Sequence, residues 1–327
     1  MVGGGPAGCA AAIVLASAGA SVVVFERSAG PRTPIGETLP PEVRMPLDRL
    51  GLWERFLTDG HLQSPGVMAA WGRSEPYVND FILNPYGCGW RVDRNRFDAT
   101  LAAGAAAAGA VVRAGTTVDR CRRGDGGAWQ LNVDVTAGFL VDAAGRSPSP
   151  AGAGLVVHDR MVALVGVAPA AGEDRWALLE ATEEGWWYSA RLPDGRLVMT
   201  FQTNAGPGLR RRWHEFLAVA PATAARARGP TDDVRIVSAN SHRRHPIAGE
   251  GWLAVGDAAT AHDPITGLGI LWALESAIAG AEAMLGSTVA AYARAMGDRF
   301  DRYLETRVQY YRGEHRWPHA PFWRGRR

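Results

Sequence analysis

Two glycine-rich stretches hold the residue types that could do chemistry. Gly3-Gly4-Gly5-Pro6-Ala7-Gly8 has the spacing G-x-G-x-x-G and leads into an Ala-rich helix expected over Cys9–Ala18. A strand follows over Ser21–Phe25 and ends at Glu26, with Arg27 beside it. Its first glycines permit a tight turn and close backbone approach to a pyrophosphate seated at the helix N-terminus. Gly8 allows the helix to pack closely on the strands. Glu26 lies about twenty residues on, where a carboxylate accepts hydrogen bonds from ribose hydroxyls.

The second stretch runs from Gly256 to Gly269. The apolar run Trp252-Leu253-Ala254-Val255 before it is short enough for a buried strand. Gly256 lets the backbone turn at the strand end, and Asp257 projects a carboxylate that can accept from a polyol. After Asp263-Pro264, Gly267 and Gly269 open a helix whose apolar positions Leu271, Leu274, Ile278 and Leu285 recur at helical spacing. A helix start without bulky side chains exposes its first N–H groups and its positive dipole end. The ligand these turns suit has hydroxyls at one end and developing negative charge at the other. A reduced flavin with its ribityl chain fits. Glycines that merely permit packing would explain either turn alone; two such turns in one chain favour one extended dinucleotide.

Bulk composition narrows the rest. The 327 residues are 47% hydrophobic and 21% charged with a net charge of +2, as in an ordinary soluble globular protein. That charge is too small to imply nucleic acid or an anionic membrane as partner. All 35 basic residues are arginine, which excludes Schiff-base chemistry, a Walker-type phosphate lysine and any lysine acid or base. The three cysteines (Cys9, Cys88, Cys121) are widely spaced with no Cys-x-x-Cys, so no disulfide framework or zinc cluster is expected and the cytoplasm is the simplest compartment. The uncharged run from Cys9 to Phe25 lacks a basic start and is divided at Gly19, so neither a signal peptide nor a membrane span is expected.

The positioning elements follow in order. Pro34–Pro41 reads as a mobile loop, too rich in Pro and Gly for an element interior. A helix is expected through Leu47, Leu50 and Trp53, strands over 61–90, and a helix from Val92 to Ala108 that carries Arg94. Arg94 could reach a cofactor phosphate or sit in a surface salt bridge. Strands are expected at Val111–Val118, Trp129–Val135 and Phe139–Asp142, the last ending in the small-residue turn Ala143-Ala144-Gly145-Arg146. Further alternating strands cover Met161–Phe201, and a short helix carries Trp213, Phe216 and Leu217. The end, Tyr303–Arg327, interleaves aromatic rings with six arginines and reads as a helical tail packed on the body.

Taken together, Gly3–Gly8 with Glu26, Arg94-x-x-Phe97-Asp98, Val141-Asp142-Ala143-Ala144-Gly145 and Gly256-Asp257 through Gly269 resemble a family. This is the FAD-dependent oxidoreductases of the hydroxybenzoate-hydroxylase fold, which include aromatic hydroxylases, geranylgeranyl reductases and tryptophan halogenases. The resemblance implies an α/β fold: a Rossmann-type three-layer FAD-binding domain, an inserted antiparallel-sheet substrate domain and a helical C-terminus. The corresponding boundaries are 1–60, 92–157 and 236–286 for the FAD-binding domain, 61–91 and 158–235 for the substrate domain, and 287–327 for the C-terminal segment. It further implies that Gly3, Gly5, Pro6, Ala7 and Gly8 cradle the pyrophosphate and that Glu26 and Arg27 lie at the adenosine ribose. Arg94 would lie along the polar chain of the flavin, Val118 beside adenine and Asp257 at the ribityl or pyrophosphate region. Pro264 and the amides at Gly267 to Gly269 would face the isoalloxazine.

Gly36-Glu37-Thr38-Leu39-Pro40 is similar to the flavin-side loop of the halogenase branch. Halogenases need a lysine to handle hypohalous acid, and their W-x-W-x-I-P signature is unmet by Trp186-Trp187-Tyr188-Ser189-Ala190-Arg191, so a halogenase is disfavoured. Leu39-Pro40-Pro41, Gly89-Trp90 before Arg94, and Arg316-Trp317-Pro318-x-x-Pro321-Phe322-Trp323 resemble flavoprotein maturases that oxygenate a tryptophan in the partner protein of a quinone-cofactor enzyme.

The leading expectation is therefore an FAD monooxygenase acting on an electron-rich aromatic ring, either an aromatic small molecule or a protein-borne tryptophan. In this family reduced flavin adds dioxygen and the ring attacks the distal oxygen of the hydroperoxide. Trp186 and Trp187 are candidates to line the substrate pocket, or core residues of their strand. Asp142 is followed by Ala143 where the hydroxylases carry Asp-Gly linked to nicotinamide binding, so a separate flavin reductase stands beside NAD(P)H as electron source. Two rivals remain: an FAD reductase of isoprenoid double bonds, and a non-catalytic cofactor-binding relic. Only Met1 and Val2 precede Gly3, whereas a central strand has roughly five or six residues. That stub is expected to weaken flavin retention; a stoichiometric flavin content after gel filtration would contradict it.

Overall fold

The computed structural model describes residues 1–30, 38–124 and 126–327. Of the loop read at Pro34–Pro41, residues 34–37 lie outside this description, as does the start of the halogenase-like Gly36–Pro40 stretch. Thr38–Leu39 is a short strand and Pro41–Val43 a single 3-10 turn.

A parallel sheet is built from Val111–Ala114, Val23–Glu26, Leu140–Asp142 and Trp252–Ala254, with Ala248–Gly249 added antiparallel at one edge. Val2 bridges in parallel to both Phe25 and Asp142, so the two-residue stub occupies the central slot between these strand pairs. The backbone ladder there runs Val2 N to Val141 O (3.0 Å), Gly3 N to Phe25 O (2.8 Å) and Ala143 N to Val2 O (2.8 Å). Val24, Leu140, Val141, Leu253 and Ala254 are almost wholly buried, as expected of a parallel sheet covered on both faces.

The helix Pro6–Ser17 begins with Pro at its first turn, where the missing N–H has no intrahelical partner to lose. Its alanines let it lie close against the helices Arg94–Ala107 and Gly269–Leu285. The meander Cys121–Arg123, Trp129–Leu131 and Val135–Ala137 sends Trp129 and Leu131 into the same core. The Val111–Val118 strand is shorter than its apolar pattern suggests, because Gly115 turns the chain at φ +67°. Likewise the helix expected through Trp53 is two pieces, Arg44–Arg49 and Trp53–Thr58, divided at Gly51 (φ +69°).

A seven-stranded sheet forms the second layer system, in the order Arg235–Ser238, Met161–Pro169, Arg196–Asn204, Gly185–Arg191, Ala177–Thr182, Gly66–Ala70 and Tyr77–Asp80. Its pairings are antiparallel except Ala177–Thr182 with Gly66–Ala70, which is parallel. Period-two alternation sends Trp186 and Trp187 to opposite faces. One face packs Trp186 with Tyr311, Phe322 and Trp323 from the C-terminal segment. The other packs Trp187 with Phe201, Trp213 and Phe216. The long helix Val289–Gly313 and the turn of helix Pro321–Arg324 form that C-terminal segment. Among the described residues no helix is long and apolar enough to cross a membrane.

The tightest packing is at the first turn. A Cβ on Gly8 would lie 1.9 Å from Gly3 O, and one on Gly3 would lie 2.1 Å from Ala143 O. Gly8→Ala is therefore expected to destabilise the protein by about 1–3 kcal/mol or more, read as a lowered urea midpoint. A Gly8→Ala variant as stable as the wild type would contradict this packing.

Candidate active site

Three turns meet at one end of the parallel sheet. Gly3–Gly8 follows the Val2 bridge, Ala143–Arg146 follows Leu140–Asp142, and Gly256–Asp257 follows Trp252–Ala254. Gly3 lies against Ala143, and a Cβ on Gly256 would come 2.8 Å from Ala7 Cβ. The two glycine-rich stretches of the sequence are thus in contact, although some 250 residues separate Gly5 from Asp257 along the chain.

Two of the helices that begin here have bare N-termini. Pro6–Ser17 and Gly269–Leu285 have no side-chain cap and no acidic residue in the first turn. By contrast, Asp93 caps Arg94–Ala107 by accepting from Asn95 N (3.0 Å) and Arg96 N (3.1 Å). Uncapped amides at the end of a long helix favour an anion or an electron-rich group. A Cβ placed on Gly5, Gly267 or Gly269 would meet nothing within 4 Å, so the chain leaves open space above each turn. Gly267 holds φ +63°, a left-handed conformation that suits glycine.

Around this frame the polar side chains are already fixed. Glu26 accepts from Gly4 N (2.8 Å) and Ser28 N (2.9 Å), one bond to each carboxylate oxygen, which sets its plane. Arg27 donates to Ser147 Oγ (3.1 Å) across to the middle turn. Asp257, about one-third exposed, accepts from Arg146 Nε at 3.2 Å. Arg94 pairs through Nε with Asp98 at 2.8 Å on the next turn of its helix. Val118 is half-buried in the coil after Val111–Ala114, and Pro264 is exposed at the start of the 3-10 turn Pro264–Thr266.

Trp186 and Trp187 are not brought to this surface. Both side chains are fully buried, Trp186 donating to Tyr311 Oη (3.1 Å) and Trp187 stacked edge-on against Trp213. Their place is in the two packed cores of the seven-stranded sheet.

Residues that local pattern did not single out hold the site together. Arg146 donates to Asp257, to Asn240 O (2.7 Å) and Oδ1 (3.0 Å), and to His262 O (3.2 Å). Asp263, wholly buried, accepts from Arg307 Nε (2.9 Å), Tyr311 Oη (2.8 Å) and Ile265 N (3.0 Å), while its own N–H donates to Tyr303 Oη (2.7 Å). Asp159 completes the ion cluster 2.8 Å from Arg307. Burial pushes the Asp263 carboxyl up while Arg307 pulls against it. Only a basic or aromatic residue in the tail hints at these partners in sequence, because the side chains that meet are far apart along the chain.

The fold agrees with the comparisons to known proteins. Residues 1–313 match the FAD binding domain family FAD_binding_3. The chain belongs to that family. It is 27% identical over 357 aligned positions to LodB of Marinomonas mediterranea, described as an FAD-dependent oxidoreductase, covering 100% of this chain and 95% of that one. Its fold matches that of the myxobacterial chondrochloren halogenase CndH with a TM-score of 0.86 at 24% identity, covering 100% of this chain and 84% of the halogenase. It also matches the peptidyl tryptophan dihydroxylase QhpG with a TM-score of 0.81 at 26% identity, covering 99% and 77% respectively. The family makes this an FAD-dependent oxidoreductase of the halogenase-like branch, and the open glycine cradle fits the dinucleotide.

Two tests follow from the geometry. Gly5→Ala is expected to leave stability within about 0.5 kcal/mol of wild type while weakening FAD binding about tenfold or more by calorimetry. Equal FAD affinity in the variant would remove Gly5 from the cradle. The second concerns His242 and His262, which burial, with Arg146 among the nearby charges, holds neutral down to about 4 and about 2. Unfolded histidine protonates near pH 6.5, so acidification from 6.5 towards 4 loads protons on the unfolded chain first. Stability is expected to be fully present above that range and to fall on acidification by on the order of 3 kcal/mol for His242 alone. His262→Phe should flatten part of this slope in chemical denaturation; an unchanged slope would contradict the assignment.

Proposed function

We propose that this protein is an FAD-dependent monooxygenase that hydroxylates an electron-rich aromatic ring, with a protein-borne tryptophan as the leading substrate. The observation that carries the reading is the pair of bare helix N-termini held side by side at one end of the parallel sheet, in a chain similar to a peptidyl tryptophan dihydroxylase over nearly its whole length.

In this reading the amides of Gly5, Ala7 and Gly8 seat the pyrophosphate, and Gly3 and Pro6 shape the turn. Glu26, with Arg27 beside it, accepts from the adenosine ribose, and Val118 lies by the adenine. Arg94 and Asp257 hold the polar chain between, Asp257 being oriented by Arg146. Pro264 and the amides from Gly267 to Gly269 face the isoalloxazine, where the positive end of the helix favours the anionic reduced form. FAD, when bound, supplies the redox and oxygen chemistry that no protein side chain can. The chain binds and orients, and the Asp263–Arg307–Tyr311 cluster keeps the flavin-facing turn rigid. The lysine that halogenases require is missing from the sequence, which favours hydroxylation over halogenation.

The direct test supplies the FAD-loaded protein with isotopically heavy dioxygen, reduced flavin from NAD(P)H with or without a separate reductase, and tryptophan-bearing peptides or simple indoles. Heavy oxygen is expected in the aromatic product. Halide incorporation, or saturation of a double bond without oxygen transfer, would overturn the proposal.

A further inference from the structure

A guanidinium outside the cofactor cradle is buried with its charge unmet. Arg91 ends the strand Gly89–Arg91, between Thr38 on one side and Leu62 on the other. Its relative exposure is 1%. Among the described residues its Nε and Nη2 have no hydrogen-bond partner, and Nη1 reaches only the carbonyl of neighbouring Trp90 at 3.5 Å. That distance is at the outer limit of a hydrogen bond. A buried charge is normally paired, and an isolated one is strongly unfavourable. Arginine cannot relieve this by losing its proton as lysine or histidine can. An anion must meet it.

Among the described residues no carboxylate provides one in full. Asp174 is the carboxylate whose field reaches Arg91, but it is ion-paired at 3.0 Å with Arg226 and is 38% exposed. Arg226 is itself held by Ser189 O (2.8 Å), Ser189 Oγ (2.9 Å) and Trp176 O (2.7 Å). Among the described residues two guanidiniums therefore share one carboxylate, one negative charge short of balance. The hydroxyl of Tyr188 is engaged by Thr38 Oγ1. A depression of about 240 Å³, lined by Asp174, Arg226, Arg191 and Leu197, opens beside the Asp174–Arg226 pair.

The geometry of the open donors specifies the missing anion. Nε–H and the Nη2 group form one side of the guanidinium, and two parallel N–H bonds from one side match a planar two-oxygen group. We propose that Arg91 is a substrate-binding residue whose side fork takes a carboxylate, carried by an aromatic acid or by an acidic side chain close to the reacting ring. This rests on the aromatic-hydroxylase reading and specifies its substrate class.

The test compares indole-3-carboxylate with indole-3-carboxamide, and an acidic with an amidated tryptophan peptide, by calorimetry on the FAD-loaded protein. Wild type is expected to prefer the carboxylate member of one pair by on the order of tenfold to a hundredfold, the range of a charged bidentate bond. Whichever pair shows the preference identifies the source. Arg91→Gln should erase it with flavin content unchanged, and Arg91→Lys should restore it in part. Equal binding of both members of both pairs by wild type, or a preference that survives Arg91→Gln, would overturn the proposal. The wild-type comparison stands even if a variant fails to fold. Oxygenation of neutral indoles without carboxylate preference would refute this site and leave the hydroxylase reading intact; preference without oxygenation would do the reverse.

Discussion

The structure depends on how closely two helix starts can approach. Gly256 lies against Ala7, Gly8 against Gly3, and Gly3 against Ala143, each at a distance where a Cβ would overlap its neighbour. Side chains at these positions would wedge the turns apart. With hydrogens alone there, the ends of three parallel strands and two uncapped helices share one small surface. A dinucleotide is long enough to touch all of them, and few other ligands need them together.

A second constraint links that surface to the rest of the molecule. Asp263 begins the turn that leads to the Gly267–Gly269 helix start, yet its carboxylate is bonded to Arg307 and Tyr311 of the last long helix, and Tyr311 in turn accepts from Trp186 of the seven-stranded sheet. One buried carboxylate therefore ties cradle, sheet and C-terminal segment. Such a network is strongly destabilised when one member is removed, because the others remain buried without partners. Arg146 does similar work at the edge, joining Asp257, Asn240 and the His262 carbonyl.

What was legible in the sequence is what depends on near neighbours. The first turn, its helix and strand, and the Gly267–Gly269 helix start all follow from glycine placement and apolar spacing over a few residues. Gly51 and Gly115 cut a helix and a strand shorter than the apolar pattern alone suggests, since their left-handed φ ends each element. Trp186 and Trp187 showed only that large rings sit in a strand; which rings are core depends on what packs on each sheet face. Arg146, Asp263, Arg307 and Arg91 were not legible as a set. The side-chain partners of the first three lie between about 40 and 150 residues away, and no spacing rule covers such distances.

The central claim is that a single FAD spans both glycine turns. Hydrogen exchange of the protein with and without FAD, read at single-residue resolution, tests it most directly. The account predicts that FAD slows exchange together at Gly5, Ala7 and Gly8 and at Gly267 to Ile270, with the remainder of the seven-stranded sheet little changed. Protection confined to one turn, or none at either while FAD is demonstrably bound, would contradict it.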